Sequence, residues 1–253
     1  MALVALLLCG AAPAQAQSWG GLLDEAARLF GGGANSTDAK PDLEGLTETE
    51  MGNGLKAALQ LGAKRAIAEL GRQGGFSSRP QIRIETPATL KPLVKLLHAI
   101  GKEEIEESFV ASMNSAAEKA VPAALEIFAR AISKMSIADA RNLLLGGQDA
   151  ATQYLQLNAR GELEKAFAPI IARHTRQAGV SGAYKSLIGA IRQQGGLAAS
   201  WIDLDRDLDA YVTEKAVDGL FVMMAQEEAR IRTDPAARAG EILQRVFGSS
   251  DPS

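Results

Sequence analysis

The chain has 253 residues, of which 27 are Lys or Arg and 30 are Asp or Glu, and 47% are hydrophobic. This composition is typical of a folded protein, and the absence of a basic surplus argues against nucleic-acid binding. One Cys excludes a disulfide framework and a multi-Cys metal site, and two His leave little for a His-based metal site.

The first sixteen residues have the pattern of a secretory leader. Leu3–Cys9 is an apolar run that is too short to span a bilayer, since a transmembrane helix needs about 20 residues. Ala14-Gln15-Ala16 follows, and its small residues match the pattern before a signal-peptidase cut, although no Lys or Arg precedes the run. We therefore predict a signal peptide over 1–16, a periplasmic protein and no transmembrane segment in the mature chain. The alternative is a buried N-terminal helix.

The organisation of the mature chain follows from its glycine and polar stretches. Residues 17–45 are predicted to form a short amphipathic helix, Trp19–Phe30, and a flexible tether after Gly31–Gly33. Residues 46–248 are predicted to form a single helical domain, and 249–253 a disordered tail.

The first part of this domain shows two helices around an irregular segment. Thr47 is a capping residue for a helix whose apolar residues repeat at three and four, and Gly74-Gly75 is predicted to end it. The alternation at Ile82–Ile84 predicts either a very short β segment or an extended connector. Thr86-Pro87 starts the next helix, which Gly101 ends.

Helical patterns continue to the C-terminus, and they predict an all-α, irregular multi-helix bundle. Ser136–Asp139 resembles a capping box, and Glu227 and Glu228 are expected at the exposed end of the last long helix. The predicted helices in this part run from Glu103 toward Ala120, from Pro122, from Ser136, from Asp149 through Tyr154, over Glu162–Ala178 and Ser181–Gln194, from about Asp207 to Arg232, and from Pro235.

A row of carboxylates has the spacing of a calcium-binding loop. Asp203, Asp205 and Asp207 alternate, and Glu214 stands at the twelfth position. The sixth position, where such a loop needs Gly for its sharp turn, is Leu208. We therefore interpret these residues as helix-capping and solvated carboxylates, with calcium as the alternative and no other cofactor expected.

Four polar side chains are the remaining candidates for a ligand-binding or catalytic site, if the fold brings them within hydrogen-bonding range. They are Asp149, Tyr154, His174 and Tyr184. A lone His at the edge of an apolar stripe is usually a boundary residue, and His98 has no carboxylate partner at metal spacing. The sequence contains no nucleophile elbow, zinc-protease motif or phosphate-binding glycine loop.

Four stretches carry a family resemblance: Gly54–Leu59, Ser112–Pro122, Met135–Tyr154 and Tyr211–Glu228. Together they resemble the exported bacterial proteins grouped as domain of unknown function 4197. The resemblance covers about Leu46 to Arg232, and it implies an all-helical domain behind a signal peptide in Gram-negative bacteria. It implies no activity, cofactor or catalytic residue.

Two classes of function stay open at this stage. The first is a non-enzymatic periplasmic interaction or scaffold protein that presents a helical surface to an envelope protein. The second is a carrier of an apolar small molecule or lipid between its helices. An enzyme of an unrecognised type is a third alternative. A cavity with a mouth would favour the carrier, and a filled core with an exposed apolar patch would favour the scaffold.

Overall fold

Helical periodicity predicts the fold class correctly. The computed structural model describes residues 47–177 and 204–234 together with Val246, all within the unit Asp38–Ser253. These residues contain α-helices and two 3-10 turns but no β-strand, which confirms the all-α prediction. Within these ranges, no helix combines the length and apolar character needed to cross a membrane.

The α-helices are numbered here in chain order. They are α1 (Glu48–Leu70), α2 (Lys91–Ala99), α3 (Glu103–Ala120), α4 (Ala124–Lys134), α5 (Ile137–Leu144), α6 (Ala150–Gln177) and α7 (Leu204–Thr233). The 3-10 turns Ala88–Leu90 and Val121–Ala123 lead into α2 and α4. The predicted leader, N-terminal helix and tether, the helices Ser181–Gln194 and from Pro235, and the C-terminal tail lie outside the described residues, apart from Val246.

Two helices begin with capping boxes: the sequence predicts the box at Ser136, and at Thr47 it predicts the capping residue. The Thr47 hydroxyl accepts the Glu50 amide at 3.2 Å, and the Glu50 carboxylate accepts the Thr47 amide at 2.9 Å. Ser136 and Asp139 make the same reciprocal pair at the start of α5. The hydrogen bonds from Ser136 lower the pKa of Asp139. Each box satisfies amide groups that the first turn of a helix leaves without a partner.

The segment between α1 and α2 differs from the prediction in two ways. The helix ends at Leu70, before Gly74, whose φ of +80° places it in the turn that follows. Of the two alternatives predicted near Ile82–Ile84, the β segment is not present, because the described residues contain no strand, and the segment is a connector. Instead, the Asn114 side chain accepts the Ile84 amide at 2.9 Å and donates to the Ile84 carbonyl at 2.9 Å. One buried amide side chain thus takes the place of a strand partner.

Helix α6 is continuous where the sequence predicts two helices, one through Tyr154 and one from Glu162. Its buried stripe recurs every four residues across the expected break: Ala151, Leu155, Ala159, Leu163, Phe167 and Ile171. Pro169 lies inside the helix but on its exposed side. The Lys165 carbonyl that loses its helical partner there is therefore close to solvent. Burial of this stripe stabilises the helix between Tyr154 and Glu162, where the sequence alone predicts a break.

Three polar contacts show that α6 and α7 run antiparallel. Thr152 contacts Glu228, Arg160 contacts Asp218, and Thr175 contacts Asp209, so residue numbers rise along one helix as they fall along the other. Helix α7 also packs on α1, while α6 packs on α3 and α4.

The connector after α1 packs closely against the backbone of α7. Phe76 is fully buried, and a Cβ atom placed on Gly219 would lie 2.7 Å from its ring. The connector is held from the other side by Glu118 of α3, which accepts the Phe76 amide at 3.2 Å. Gly219 is therefore needed for close backbone approach.

Candidate functional site

Glu228 is the centre of the most extensively hydrogen-bonded polar cluster among the described residues. One oxygen accepts the Thr152 amide at 2.8 Å and the Thr152 hydroxyl at 2.7 Å. The other accepts the Ala151 amide at 3.1 Å and the Arg232 guanidinium at 2.8 Å and 3.1 Å. The carboxylate lies at the N-terminus of α6, where the helix dipole and the unpaired amides favour a negative charge.

Arg232 extends this cluster to a third helix. Its guanidinium donates to the carbonyls of Leu143 and Leu144 at 2.9 Å and 3.0 Å, at the C-terminus of α5. A positive charge there satisfies terminal carbonyls and complements the dipole. The Glu228–Arg232 pair therefore joins the end of α5 to the start of α6.

The prediction that Glu227 and Glu228 lie at an exposed helix end is wrong. Their exposed fractions are 7% and 6%. Glu227 lies 3.7 Å from Arg65 of α1 and 3.7 Å from Arg230. The i, i+4 spacing of Glu228 and Arg232 indicates an ion pair correctly, but it carries no signal that α5 and α6 enclose it.

A small cleft lies between α1 and α7 beside this cluster. Its volume is about 10 Å³, which is enough for about one water molecule. Sites for small molecules are usually about 300–1,000 Å³. Its lining residues are Leu55, Ala58, Leu59, Gly62, Met224, Glu228, Ile231 and Arg232.

Of the three candidate ligand-binding residues that the structure describes, His174 lies far from the other two. Asp149 precedes α6, and its carboxylate accepts a hydrogen bond from the side-chain amide of Gln153 at 3.0 Å. Tyr154 is half-buried in the first turns of that helix. His174 lies near the other end of α6, twenty residues beyond Tyr154, or about 30 Å along the axis. Tyr184 lies outside the described residues.

The calcium-like carboxylates lie on a helix where they are described. Asp205, Asp207 and Glu214 all belong to α7, and Asp203 lies outside the described residues. Nine residues separate Asp205 from Glu214, which is about 13 Å along a helix axis. Glu214 is exposed and lies 3.5 Å from Lys215. Across the part of the chain that the structure describes, no three His, Cys, Asp or Glu side chains form a group suited to a metal ion.

His98 has a carboxylate partner that the sequence analysis missed. Its Nε2 lies 2.7 Å from one oxygen of Glu106, and the Thr86 hydroxyl donates to the other oxygen at 2.9 Å. This contact ties α2 to α3 and to the connector before α2. The partners are eight residues apart across the turn at Gly101, a spacing that no helical pattern marks.

Arg160 and Asp218 form a half-buried pair midway along α6 and α7. Arg160 donates to Asp218 at 2.5 Å, and Lys215 lies 3.6 Å from the other Asp218 oxygen. Burial raises the pKa of Asp218, while the hydrogen bond and charge of Arg160 oppose that effect. The pair holds two helices in register.

The side of α6 opposite its buried stripe carries one large apolar residue among small, polar and charged ones. We call Leu157, Gly161, Lys165 and Ala168 the outer face of α6. All four residues are exposed, and the exposed fraction of Leu157 is 87%. A Cβ atom placed on Gly161 would have no atom within 4 Å. Charged residues usually fill the solvent side of such a helix.

Comparison with known proteins identifies the family. Residues 45–248 match the family described as "Protein of unknown function (DUF4197)", and the chain belongs to that family. No curated protein and no solved structure gives a significant match to the chain.

Proposed function

We propose that this DUF4197 protein is a non-enzymatic interaction or scaffold protein of the Gram-negative periplasm, which contacts an envelope protein through the outer face of α6. The observation that carries this proposal is Leu157, which is 87% exposed in the first third of α6. Exposing a Leu side chain rather than burying it forgoes about 1.5–3 kcal/mol. A partner that covers it recovers that free energy.

The contacts of α6 support the use of this helix as a binding element. Glu228 holds its first turn, Asp218 holds its middle through Arg160, and Asp209 accepts the Thr175 hydroxyl at 2.7 Å near its end. A helix fixed at three points presents its side chains with little loss of conformational entropy on binding.

The buried polar groups have a structural use that fits a non-enzymatic role. Asn114 bonds to both backbone groups of Ile84, and Glu228 bonds to two backbone amides of α6, to the Thr152 hydroxyl and to Arg232, so both side chains hold other segments in place. The cleft between α1 and α7 accommodates about one water molecule, so it would hold an apolar ligand only if these two helices separated.

Export is the second part of the proposal, and it rests on the leader pattern at 1–16. We expect a tagged chain expressed in a Gram-negative host to be recovered in the periplasmic fraction with Gln17 as its first residue. Recovery in the cytosol with the leader attached would contradict this part.

Site-specific photo-crosslinking in living cells tests the binding surface. A photoreactive amino acid replaces Leu157 in one variant and Glu126, whose side chain is 88% exposed on α4, in the control. We expect a discrete crosslinked product from position 157 and none from position 126. The same product from both positions, or none from position 157, would refute this surface. A lipid or other apolar molecule that co-purifies in stoichiometric amount would favour the carrier instead.

A further inference from the structure

We propose that the contact between His98 and Glu106 makes the docking of α2 on α3 pH-dependent, so that α2 opens more often as the pH rises from about 5 to about 8. The proposal concerns α2 alone and is independent of the outer face of α6.

Helix α2 is short and depends on few contacts for its position. It has nine residues, and an isolated helix of fewer than about 12–15 residues is only marginally stable in water. It packs mainly on α3, and its buried side carries Val94 and Leu97. Its N-cap residue, Leu90, supplies no side-chain hydrogen bond. Contacts with other segments therefore determine how often α2 opens.

The turn that follows α2 suits a hinge. Gly101 has a φ of +67°, a conformation that residues with a side chain rarely adopt. A Cβ atom placed there would meet nothing within 4 Å. A glycine with open space around it can absorb the backbone rotation of a helix that opens.

Glu106 connects His98 to two other segments. The Nε2 atom of His98 lies 2.7 Å from one carboxylate oxygen, and the Thr86 hydroxyl donates to the other at 2.9 Å. Thr86 is buried and the Glu106 side chain is 23% exposed, so the carboxylate is held in place. The imidazole is 48% exposed, so it can exchange protons with solvent while α2 stays docked.

Protonation of the imidazole strengthens this contact. A histidine ordinarily changes its charge between about pH 5 and 8, whereas a carboxylate is ordinarily ionised throughout that range. The imidazolium forms an ion pair with Glu106, and the neutral ring forms a hydrogen bond only. His98 also lies in the last turn of α2, where the helix dipole favours a positive charge. This charge-dependent stabilisation is present at low pH and is lost as the pH rises.

The basic residues near His98 in sequence reduce the size of the effect. Lys91 and Lys95 lie on α2 and Lys102 lies in the turn after it, and all three are exposed. Lys102 lies 3.8 Å from Glu104, which compensates part of its charge. Lysine side chains ordinarily keep their charge up to about pH 10, so they supply no pH dependence of their own in this range.

The other acidic residues of α3 and of the connector ordinarily keep their charge in this range as well. Glu103 and Glu107 are exposed on α3, and Glu85 of the connector lies 3.0 Å from an arginine. Among the described residues, Glu106 supplies the carboxylate that pairs with His98 within 4 Å. The pH response of α2 should therefore depend on these two side chains.

Hydrogen exchange of the full chain, followed by mass spectrometry at about pH 5 and about pH 8, tests the proposal. The measured rates are corrected for the intrinsic exchange rate at each pH. We then expect the protection of the peptide that contains α2 to fall by about threefold or more at the higher pH. Equal protection at both pH values in the wild type would overturn the proposal.

Three variants assign the response to the two side chains. His98→Gln keeps a hydrogen-bond donor but cannot carry a positive charge, so at both pH values it should show the lower protection of the wild type at high pH. Glu106→Gln should lose the pH response as well. His174→Gln is the matched control, because the chain has two His, and it should keep the wild-type response. A response that persists in His98→Gln, or that disappears in His174→Gln, would overturn the proposal.

Discussion

Replacement of Glu228 by Ala gives the largest predicted loss of stability. Arg232 would keep its charge in a position where its side chain is 11% exposed. Removing one partner of a buried ion pair costs about 3–5 kcal/mol. The loss of the cap at the N-terminus of α6 costs about 0.5–2 kcal/mol more when measured alone.

These two costs share one carboxylate and do not add in full. Arg232 also keeps its bonds to the carbonyls at the end of α5. We therefore expect Glu228→Ala to lower the free energy of unfolding by about 4 kcal/mol, which is a large part of the usual 5–15 kcal/mol of a domain.

Urea unfolding followed by circular dichroism measures this loss. The midpoint should fall while the slope stays constant, since the surface exposed on unfolding hardly changes. Glu162→Ala is the matched control, because Glu162 also pairs with an Arg but its side chain is 52% exposed. The control should lose less than about 1 kcal/mol. An equal loss in both variants would refute the argument that burial makes the Glu228 pair important.

The remaining predictions concern three other positions. Gly219→Ala should cost about 1–3 kcal/mol, because the new methyl group would lie 2.7 Å from the Phe76 ring, and thermal unfolding measures it. Asn114→Ala should speed hydrogen exchange of the Ile84 amide, which loses its buried acceptor, and unchanged exchange would contradict the assigned bond. Asp218 should make stability depend on pH. Burial raises the pKa of Asp218 above 3.8, the usual value of an Asp carboxyl, so its contribution to stability is fully present below that pH and is lost as the pH rises through the folded-state pKa. Asp218→Asn should flatten this dependence in urea titrations at a series of pH values, and an unchanged slope would contradict the assignment.

Sequence patterns predicted much of the fold because helix caps and apolar repeats involve residues only three or four positions apart. The caps predicted at Thr47 and Ser136 are both present in the structure, and each joins residues three apart. The buried stripes of α1 and α6 likewise recur at three and four residues, so the class of the fold followed from the sequence.

Contacts between distant residues explain where the prediction was wrong. The alternation at Ile82–Ile84 correctly indicated two buried Ile side chains outside a helix, but the partner of this segment, Asn114, is thirty residues away on a helix. The candidate site was less predictable than the fold. Glu228 bonds to Thr152, seventy-six residues earlier, and a sequence pattern cannot show which surface covers a helix end.

The candidate polar residues show the same limit. The sequence analysis grouped Tyr154 and His174 because both have polar side chains that could bind a ligand. A single continuous helix holds them about 30 Å apart. The sequence did not predict the exposure of Leu157 either. Its position opposite the buried stripe depends on α6 being one continuous helix rather than two.

Partner capture by folded Leu157→Asp tests the central claim most directly. The variant and the wild type would be exported in the same host, checked for equal helical content and melting temperature, and compared for chemical crosslinking in the intact periplasm. We predict equal folding and loss of the crosslinked product in the variant. A variant that folds equally and still gives the wild-type product would show that this protein does not act through the outer face of α6.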